Sequence, residues 1–182
     1  EGIAPDPARA AFARLRSAEA EWLERQAESL LAEDRAGLDL ASAPIIGAAL
    51  QVCWTSLAAA LDPAWIAPPA TPALCPVCGS APVASAVGGA GDADSGLRYL
   101  HCALCGSEWH AVRAQCSQCD NDKGLVYFAV ENAKPPIQAE ACPECGSYLK
   151  VCRRDRETDM EPLADDLASL ALDLLMGEEK YA

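Results

Sequence analysis

Eight of the ten cysteines in this 182-residue chain fall into four Cys-x-x-Cys pairs, a spacing suited to holding metal ions. Each such turn presents two thiolates on one side of a tight loop, so that two turns complete a tetrahedral site of four sulfurs. The pairs are closely spaced and no charged-then-apolar leader precedes them, which favours metal binding in a reducing compartment over disulfide bonding. The predicted ligands are Cys75, Cys78, Cys102, Cys105, Cys116, Cys119, Cys142 and Cys145.

The distances between the pairs along the chain predict how they combine. Twenty-three residues separate the first pair from the second and twenty-two separate the third from the fourth, enough for two short strands and a turn. Only ten residues separate the second pair from the third. We therefore expect the first two pairs to form one site and the last two to form another, with crossed pairing as the alternative. Spacing does not distinguish zinc from iron, because both accept tetrahedral sulfur.

A glycine follows the second cysteine in three of the four pairs, at Gly79, Gly106 and Gly146. Glycine adopts a positive φ without strain, which lets the turn aim its backbone N–H groups at the sulfurs. Asp120 occupies this place in the third pair, and aspartate tolerates the same conformation better than most residues. The four turns are therefore predicted to share one backbone geometry.

The segment "GSEWHAVRAQ" joins the second pair to the third and is predicted to be a short tether that carries Trp109 and His110. In one interpretation Trp109 packs over the junction between two metal modules and His110 is a solvent-facing strand residue. In the other, Trp109 and His110 are partner-binding residues. Neither histidine of the chain, His101 or His110, is needed as a ligand. No catalytic residue is predicted, because nearby thiols would be bound to metal.

Hydrophobic periodicity predicts a helix over residues 6–34 and a second helix from Pro44 to Leu61. Residues 40–61 carry no charge, which raises the possibility of a membrane span. Polar residues within this stretch and acidic residues at both ends favour a buried core helix instead. Cys53, which lies in it, and Cys152, which lies further on, are expected to be inert core thiols.

After a proline-rich linker the sequence changes to short β-like runs, at 82–87, 97–102, 124–130 and 148–152, with a Gly/Asp-rich turn over 88–96. Helical periodicity returns near the end of the chain, where four leucines form one stripe: Leu163, Leu167, Leu170 and Leu174.

These patterns predict an α+β fold with two tandem metal modules of rubredoxin-like or zinc-ribbon size between helical segments. The predicted parts are an N-terminal helical region (1–65), a linker (66–73), a first module (74–109), a second module (110–153) and a C-terminal amphipathic helix (158–178).

The net charge of −13 argues against sequence-independent nucleic-acid binding, which needs several basic residues on phosphates. Residues 71–152, which carry the cysteines, hold five basic and eight acidic residues. An anionic membrane surface would be repelled as well. A protein, a metal or a small molecule is the expected partner.

The stretches "LRYLHCALCGSEWHAVRAQCSQCD", "EACPECGSYLKV" and "ADDLASLALD" together resemble the FdhE family of formate dehydrogenase accessory proteins. The resemblance covers roughly residues 72–180, while residues 1–65 match in helical character alone. Beyond "EEKYA" the family continues with a Pro/Phe-rich tail that this sequence lacks.

The resemblance implies a cytoplasmic assembly factor, not an enzyme, that binds the catalytic subunit of formate dehydrogenase through its metal modules during maturation. It also implies two metal ions per chain on the eight cysteines, iron in preference to zinc. Two other functions remain open from the residues alone: a rubredoxin-like electron carrier and a zinc-ribbon interaction adaptor.

Overall fold

The computed structural model describes residues 6–69, 71–88, 96–131 and 137–182. The chain divides into two compact units, one ending at Leu57 and the other beginning at Ala58. The predicted glycine-rich turn at 88–96 lies mostly outside the described residues.

The first unit contains the helices α1 (Asp6–Ser17) and α2 (Ala20–Leu31) and most of α3 (Ala43–Ala59), whose last two residues belong to the second unit. The prediction of one continuous helix over 6–34 is wrong, because Glu19 adopts an extended conformation (φ −68°, ψ 146°) and its carbonyl starts α2. The connection from α2 to α3 is fixed by the buried Gln26, whose amide donates to the carbonyl of Gly37 (2.9 Å) and accepts from the backbone N–H of Asp39 (2.6 Å).

The expectation of a buried core helix over 44–61 is also wrong for most of its surface. Ile46 is the buried residue of α3, whereas Val52 and Leu57 are 68% and 62% exposed and Cys53 is exposed. An uncharged helix needs apolar neighbours on all sides to be buried, and within this unit α3 shares one apolar groove with Leu15 of α1 and Leu23 of α2. Among the described residues, no helix is long and apolar enough to cross a membrane.

The second unit is built on a mixed sheet in which the described residues contribute six strands in the order β3-β2-β1-β6-β5-β4. The strands are β1 (Pro82–Val87), β2 (Arg98–Cys102), β3 (Glu108–Ala111), β4 (Val126–Phe128), β5 (Ile137–Ala141) and β6 (Tyr148–Arg153). A short 3-10 helix, Pro63–Trp65, precedes them. Strands β1, β2 and β4 lie within the runs that the sequence predicts, and β6 extends one residue beyond the run predicted over 148–152.

No β-like run in the sequence located β3 or β5, although two short strands were expected between the third and fourth cysteine pairs and one interpretation placed His110 on a strand. Strand β3 lies inside the segment expected to be a tether, and β5, "IQAEA", is rich in residues with low strand propensity. Each is an antiparallel neighbour of a recognised strand, so pairing supplies the stability that the local sequence lacks.

The two predicted modules are joined into one sheet by parallel pairing between β1 and β6, with Ala84 opposite Lys150 and Val87 opposite Arg153. Antiparallel pairs complete the sheet on both sides of this junction. The two groups of cysteines are therefore attached to a single hydrogen-bonded scaffold, which holds them together more firmly than a flexible tether would.

The chain ends in two helices, α4 (Pro162–Ala168) and α5 (Leu170–Glu178), instead of the single helix predicted over 158–178. The break lies at Ser169, whose backbone (φ −111°, ψ 29°) departs from helical geometry. The apolar core between helices and sheet includes Leu172 and Met176 together with residues of β1, β5 and β6.

The leucine stripe predicted for this helix is therefore not the buried face. Leu167, Leu170 and Leu174 are 63%, 57% and 73% exposed. The break at Ser169 and the ionic contacts of Asp166 and Asp173 with Lys150 turn the opposite side of both helices toward the sheet.

Candidate metal centres

All four Cys-x-x-Cys turns have the same local geometry. In each, the backbone N–H of the first cysteine donates to the carbonyl five residues later, at 2.8–2.9 Å, which closes the turn around the two sulfurs. The residue after the second cysteine has a positive φ in every turn, between 59° and 79°, including Asp120 in the third. This is the conformation that the sequence predicts. Backbone N–H groups also point at a sulfur, at 3.3–3.4 Å in the first three turns and from Cys145 to the sulfur of Cys142 in the fourth.

The first two turns meet to form a cluster of Cys75, Cys78, Cys102 and Cys105. The Sγ atoms of Cys75 and Cys105 are 3.6 Å apart, and those of Cys78 and Cys102 are 3.4 Å apart. Three of these side chains are 1–3% exposed and Cys78 is half-buried. Cys75 and Cys78 lie in the turn that precedes β1, Cys102 ends β2, and Cys105 lies in the β2-β3 turn, so the cluster is at one end of the antiparallel pair β1-β2.

The third and fourth turns form a second cluster of Cys116, Cys119, Cys142 and Cys145, whose potential ligand atoms all lie within 4.8 Å of one another. The sulfur of Cys116 is 3.8 Å from that of Cys145, and the sulfur of Cys119 is 3.7 Å from that of Cys142. Cys119 and Cys145 are exposed, unlike any cysteine of the first cluster. The two clusters therefore share a donor set but differ in access to solvent.

The grouping of the pairs is the one that their spacing predicts, and the crossed arrangement is not observed. A tetrahedral ion with metal–sulfur bonds of 2.3 Å requires sulfur–sulfur separations of about 3.8 Å. The sulfur–sulfur separations of 3.4–3.8 Å within the clusters are close to that value. The donor set and its dimensions therefore fit one tetrahedral metal ion in each cluster.

Side-chain hydrogen bonds to the sulfurs were not predicted. The hydroxyl of Ser147 lies 2.9 Å from the sulfur of Cys145, Ser107 is 3.2 Å from the sulfur of Cys105, and the amide of Asn121 donates to the sulfur of Cys142 at 3.6 Å. A recurrent pattern in the sequence could have revealed them. A serine or asparagine stands two residues after the second cysteine in all four turns, at Ser80, Ser107, Asn121 and Ser147.

Hydrogen bonds also prepare one thiol in each cluster for ionisation. Burial raises the pKa of Cys75 and of Cys102. Burial acts in the same direction on Cys78 and Cys142, but hydrogen bonds outweigh it. They lower the pKa of Cys78 to about 7, mainly through Ser80, and that of Cys142 to about 6 through the backbone N–H of Cys145 and the Asn121 amide. A thiolate is the form that ligates a metal.

A buried ion pair joins β2 to β5, two strands on opposite sides of the β1-β6 junction. Nη2 of Arg98, on β2, lies 2.8 Å from Oε1 of Glu140, on β5, and both side chains are at most 5% exposed. The two charged groups are close enough to form an ion pair, but among the described residues Nη2 has no acceptor aligned well enough for a hydrogen bond. Nη1 of Arg98 donates to the carbonyl of Gln115 at 2.9 Å, which anchors the start of the third cysteine turn.

Trp109 and His110 occupy different environments on β3. Trp109 is 5% exposed, and its indole N–H donates to the carbonyl oxygen of Pro72 at 3.0 Å. It lies opposite the fully buried Leu100 on β2. His110 is exposed, with its ring edge against Tyr99 at a centroid distance of 6.0 Å. Burial of Trp109 and exposure of His110 agree with the packing interpretation, although these two contacts of Trp109, with the linker and with β2, involve no residue of the second module. Contact of either residue with a partner stays a prediction.

The remaining two cysteines lie outside both clusters. Cys152 is fully buried in the core between sheet and helices, as predicted, and burial raises the pKa of its thiol to about 12. Cys53 is exposed on α3, contrary to the expectation of a core thiol. His101 is held by Glu108, with its Nδ1 3.3 Å from Oε1 of the carboxylate.

Three models of known protein families together match nearly the whole chain. Models of the FdhE N-terminal region, the FdhE central domain and the FdhE C-terminal domain match residues 1–71, 74–113 and 114–182. The chain belongs to the FdhE family. The central-domain match contains the first cysteine cluster and the C-terminal-domain match contains the second, so the family resemblance seen in the sequence is confirmed.

Relatives of known name agree with this assignment. Over 177 residues, 97% of this chain, it is 42% identical to Protein FdhE of Salmonella paratyphi A and 41% identical to the FdhE homolog of Cronobacter sakazakii. The crystal structure of the FdhE protein from Pseudomonas aeruginosa superposes with a TM-score of 0.89 at 38% identity, over 100% of this chain and 63% of that one. The chain spans 57% of the length of these curated relatives.

Proposed function

We propose that this chain is the metal-binding part of an accessory factor that assists the maturation of formate dehydrogenase and is not itself an enzyme. The observation that carries the proposal is the attachment of two four-cysteine clusters to one continuous sheet in an FdhE-family chain. In this role the metals, iron in preference to zinc, stabilise the surface that binds the catalytic subunit of formate dehydrogenase. A reducing cytoplasm suits the eight clustered thiols.

The proposal assigns the eight clustered cysteines to metal ligation and none of them to catalysis. When bound, a metal supplies four strong bonds that tie two hairpin turns together, and structural metal ions in small domains stabilise folding on the order of 10 kcal/mol. The chain's own residues position the sulfurs through the four closed turns and the Arg98–Glu140 pair. The shape of the surrounding surface therefore depends on both clusters being loaded.

An electron carrier is the second candidate, and one observation favours it. Cys119 and Cys145 of the second cluster are exposed, so an iron ion there would lie close to the protein surface, where a redox partner could approach. A nucleic-acid adaptor is less well supported, because the chain carries a net charge of −13.

Binding to the catalytic subunit provides the test of the accessory role. We expect the purified, metal-loaded chain to capture the catalytic subunit of formate dehydrogenase and to show no formate oxidation with an artificial electron acceptor. The double variant Cys75→Ser/Cys78→Ser should lose the first metal and weaken capture, whereas Cys53→Ser, an exposed thiol outside both clusters, should leave capture unchanged. Equal capture by all three proteins would contradict the proposed interface.

Redox titration separates the accessory role from the electron carrier. Ferric thiolate centres absorb visible light, so an iron-loaded chain can be followed during reduction and reoxidation. A carrier should cycle rapidly and reversibly with a partner reductase. An accessory factor should capture the catalytic subunit equally well with zinc, which has no redox chemistry, in place of iron.

A further inference from the structure

The outward face of α4 and α5 is apolar along its length. Leu167, Leu170 and Leu174 are 63%, 57% and 73% exposed. Single exposed leucines are common on protein surfaces, but several on neighbouring helical turns are typical of an interaction site. Between these leucines the same surface carries small exposed residues, at Ala164, Ala168, Ala171 and Gly177. We call these seven residues the leucine face. Three large side chains separated by small ones offer ridges and grooves into which another helix can pack.

The leucine face rests on a rigid support. Beneath it, Leu172 and Met176 are 2% and 0% exposed in the core against the sheet. The buried ammonium of Lys150 lies 2.9 Å from a carboxylate oxygen of Asp166 and 2.6 Å from one of Asp173, which ties both helices to β6. The exposure of the leucines is therefore a consequence of how the helices are anchored, and not of a frayed chain end.

The charges along these two helices are predominantly negative. Between residues 157 and 179 there are eight acidic residues and no basic one, and Arg156 and Lys180 lie just outside this stretch. Asp166 and Asp173 share the single positive charge of Lys150, and six further carboxylates lie around the apolar surface without such a partner among the described residues. They lie at both ends of the face, toward Glu161 at the start of α4 and toward Glu178 at the end of α5.

We propose that the leucine face is a docking site for an amphipathic helix of a partner protein, with leucine-like residues on one side and Lys or Arg near its ends. The apolar contact supplies the affinity and the basic ends are attracted by the carboxylates, which selects the partner and increases the association rate. A second copy of this chain would bring six carboxylates against six. An anionic membrane would be repelled in the same way. The proposal concerns a second surface and does not depend on the identity of the partner bound near the metal clusters.

Designed peptides test the proposal directly. The probe is a labelled helical peptide of about 18 residues, roughly five turns, with a leucine and alanine face and lysines at both ends. A matched peptide carries glutamates in place of the lysines. Fluorescence anisotropy with the metal-loaded chain should show binding of the lysine peptide in the micromolar range. The glutamate peptide should bind at least about tenfold more weakly.

Variants locate the binding site. Leu170→Glu/Leu174→Glu should weaken the lysine peptide at least about tenfold. Leu40→Glu/Leu57→Glu, which changes two leucines that are 72% and 62% exposed elsewhere, should bind like the unchanged protein. Circular dichroism checks that both variants are folded, and the comparison of the two peptides on the unchanged protein needs no variant at all.

Several outcomes would overturn the proposal. Absence of measurable binding, equal affinity for the two peptides, or equal affinity of the unchanged protein and Leu170→Glu/Leu174→Glu would each do so. A dimer in analytical ultracentrifugation that Leu170→Glu/Leu174→Glu dissociates would assign the face to a second copy of the chain. Flotation with phosphatidylcholine or phosphatidylglycerol vesicles, abolished by the same variant, would assign it to a membrane.

Discussion

Trp109 provides a sharp test of how the first metal module is built. Its side chain is 5% exposed and its indole N–H donates to the carbonyl of Pro72 at 3.0 Å. Replacing a buried Trp by Ala removes a large apolar side chain and leaves a cavity, which costs about 3–5 kcal/mol of unfolding free energy. Trp109→Phe retains most of the packing and loses the hydrogen bond, so it should cost about 1–2 kcal/mol. Trp65→Ala, at a side chain that is 77% exposed, should change stability by less than about 0.5 kcal/mol.

The assay is denaturant unfolding of the metal-loaded proteins, with metal content and capture of the formate dehydrogenase catalytic subunit measured on the same samples. Packing predicts that Trp109→Ala lowers the unfolding midpoint strongly and that Trp109→Phe restores most of it. The packing account is refuted if Trp109→Ala is as stable as Trp65→Ala. Weakened capture by a Trp109→Ala protein of unchanged stability would instead support the partner-binding interpretation.

Three further predictions follow from the same structure. A chelator that competes with thiolates should remove the metal of the second cluster before that of the first, because two sulfurs of the second cluster are exposed. Metal loss is monitored by absorption, and simultaneous loss from both clusters would contradict this expectation. Lys150→Met should cost about 3–5 kcal/mol in denaturant unfolding, because Asp166 and Asp173 lose their buried partner, and Asp166→Asn/Asp173→Asn in the same protein should recover part of the loss. Gly88→Ala should destabilise the protein, because Gly88 has φ +87° and an added Cβ would lie 2.9 Å from the backbone of Asp155. Gly177→Ala, in a helix and with open space around the added Cβ, should stabilise the protein by about 0.5–1 kcal/mol, and equal melting temperatures of the two variants would contradict both expectations.

The cysteine clusters could be predicted from the sequence because their geometry is local. A Cys-x-x-Cys turn fixes two sulfurs within a few residues, and the positive φ at Gly79 and at Asp120 follows from the residue types found there. The lengths of the intervals then favour pairing the first turn with the second and the third with the fourth, because only these intervals are long enough for two strands and a turn. The metal-ligand roles themselves stay a prediction until an ion is measured.

The long-range features could not be predicted in this way. The parallel pairing of β1 with β6 joins segments more than sixty residues apart, and no local pattern marks it. Arg98 and Glu140 look like ordinary surface charges in the sequence, yet both are buried because the sheet brings them together. Short or alanine-rich strands such as β5 have low intrinsic strand propensity and are stabilised by pairing with neighbouring strands.

The prediction of which face of each helix is buried was wrong for a related reason. Periodicity locates an apolar stripe, but it does not say whether that stripe faces the core or a partner. At the end of the chain the break at Ser169 and the attraction of Asp173 to Lys150 decide the matter, and Leu170 is left outside. The same ambiguity explains α3, whose uncharged sequence suggested burial although Val52 is exposed.

Metal stoichiometry tests the central claim most directly. Elemental analysis of anaerobically purified protein should give two metal ions per chain, one for each cluster. Cys75→Ser/Cys78→Ser and Cys142→Ser/Cys145→Ser should each retain one ion, while Cys53→Ser should retain both. About one ion per chain or fewer in the unchanged protein, or the same metal content in all four proteins, would contradict the assignment of the two clusters as metal centres.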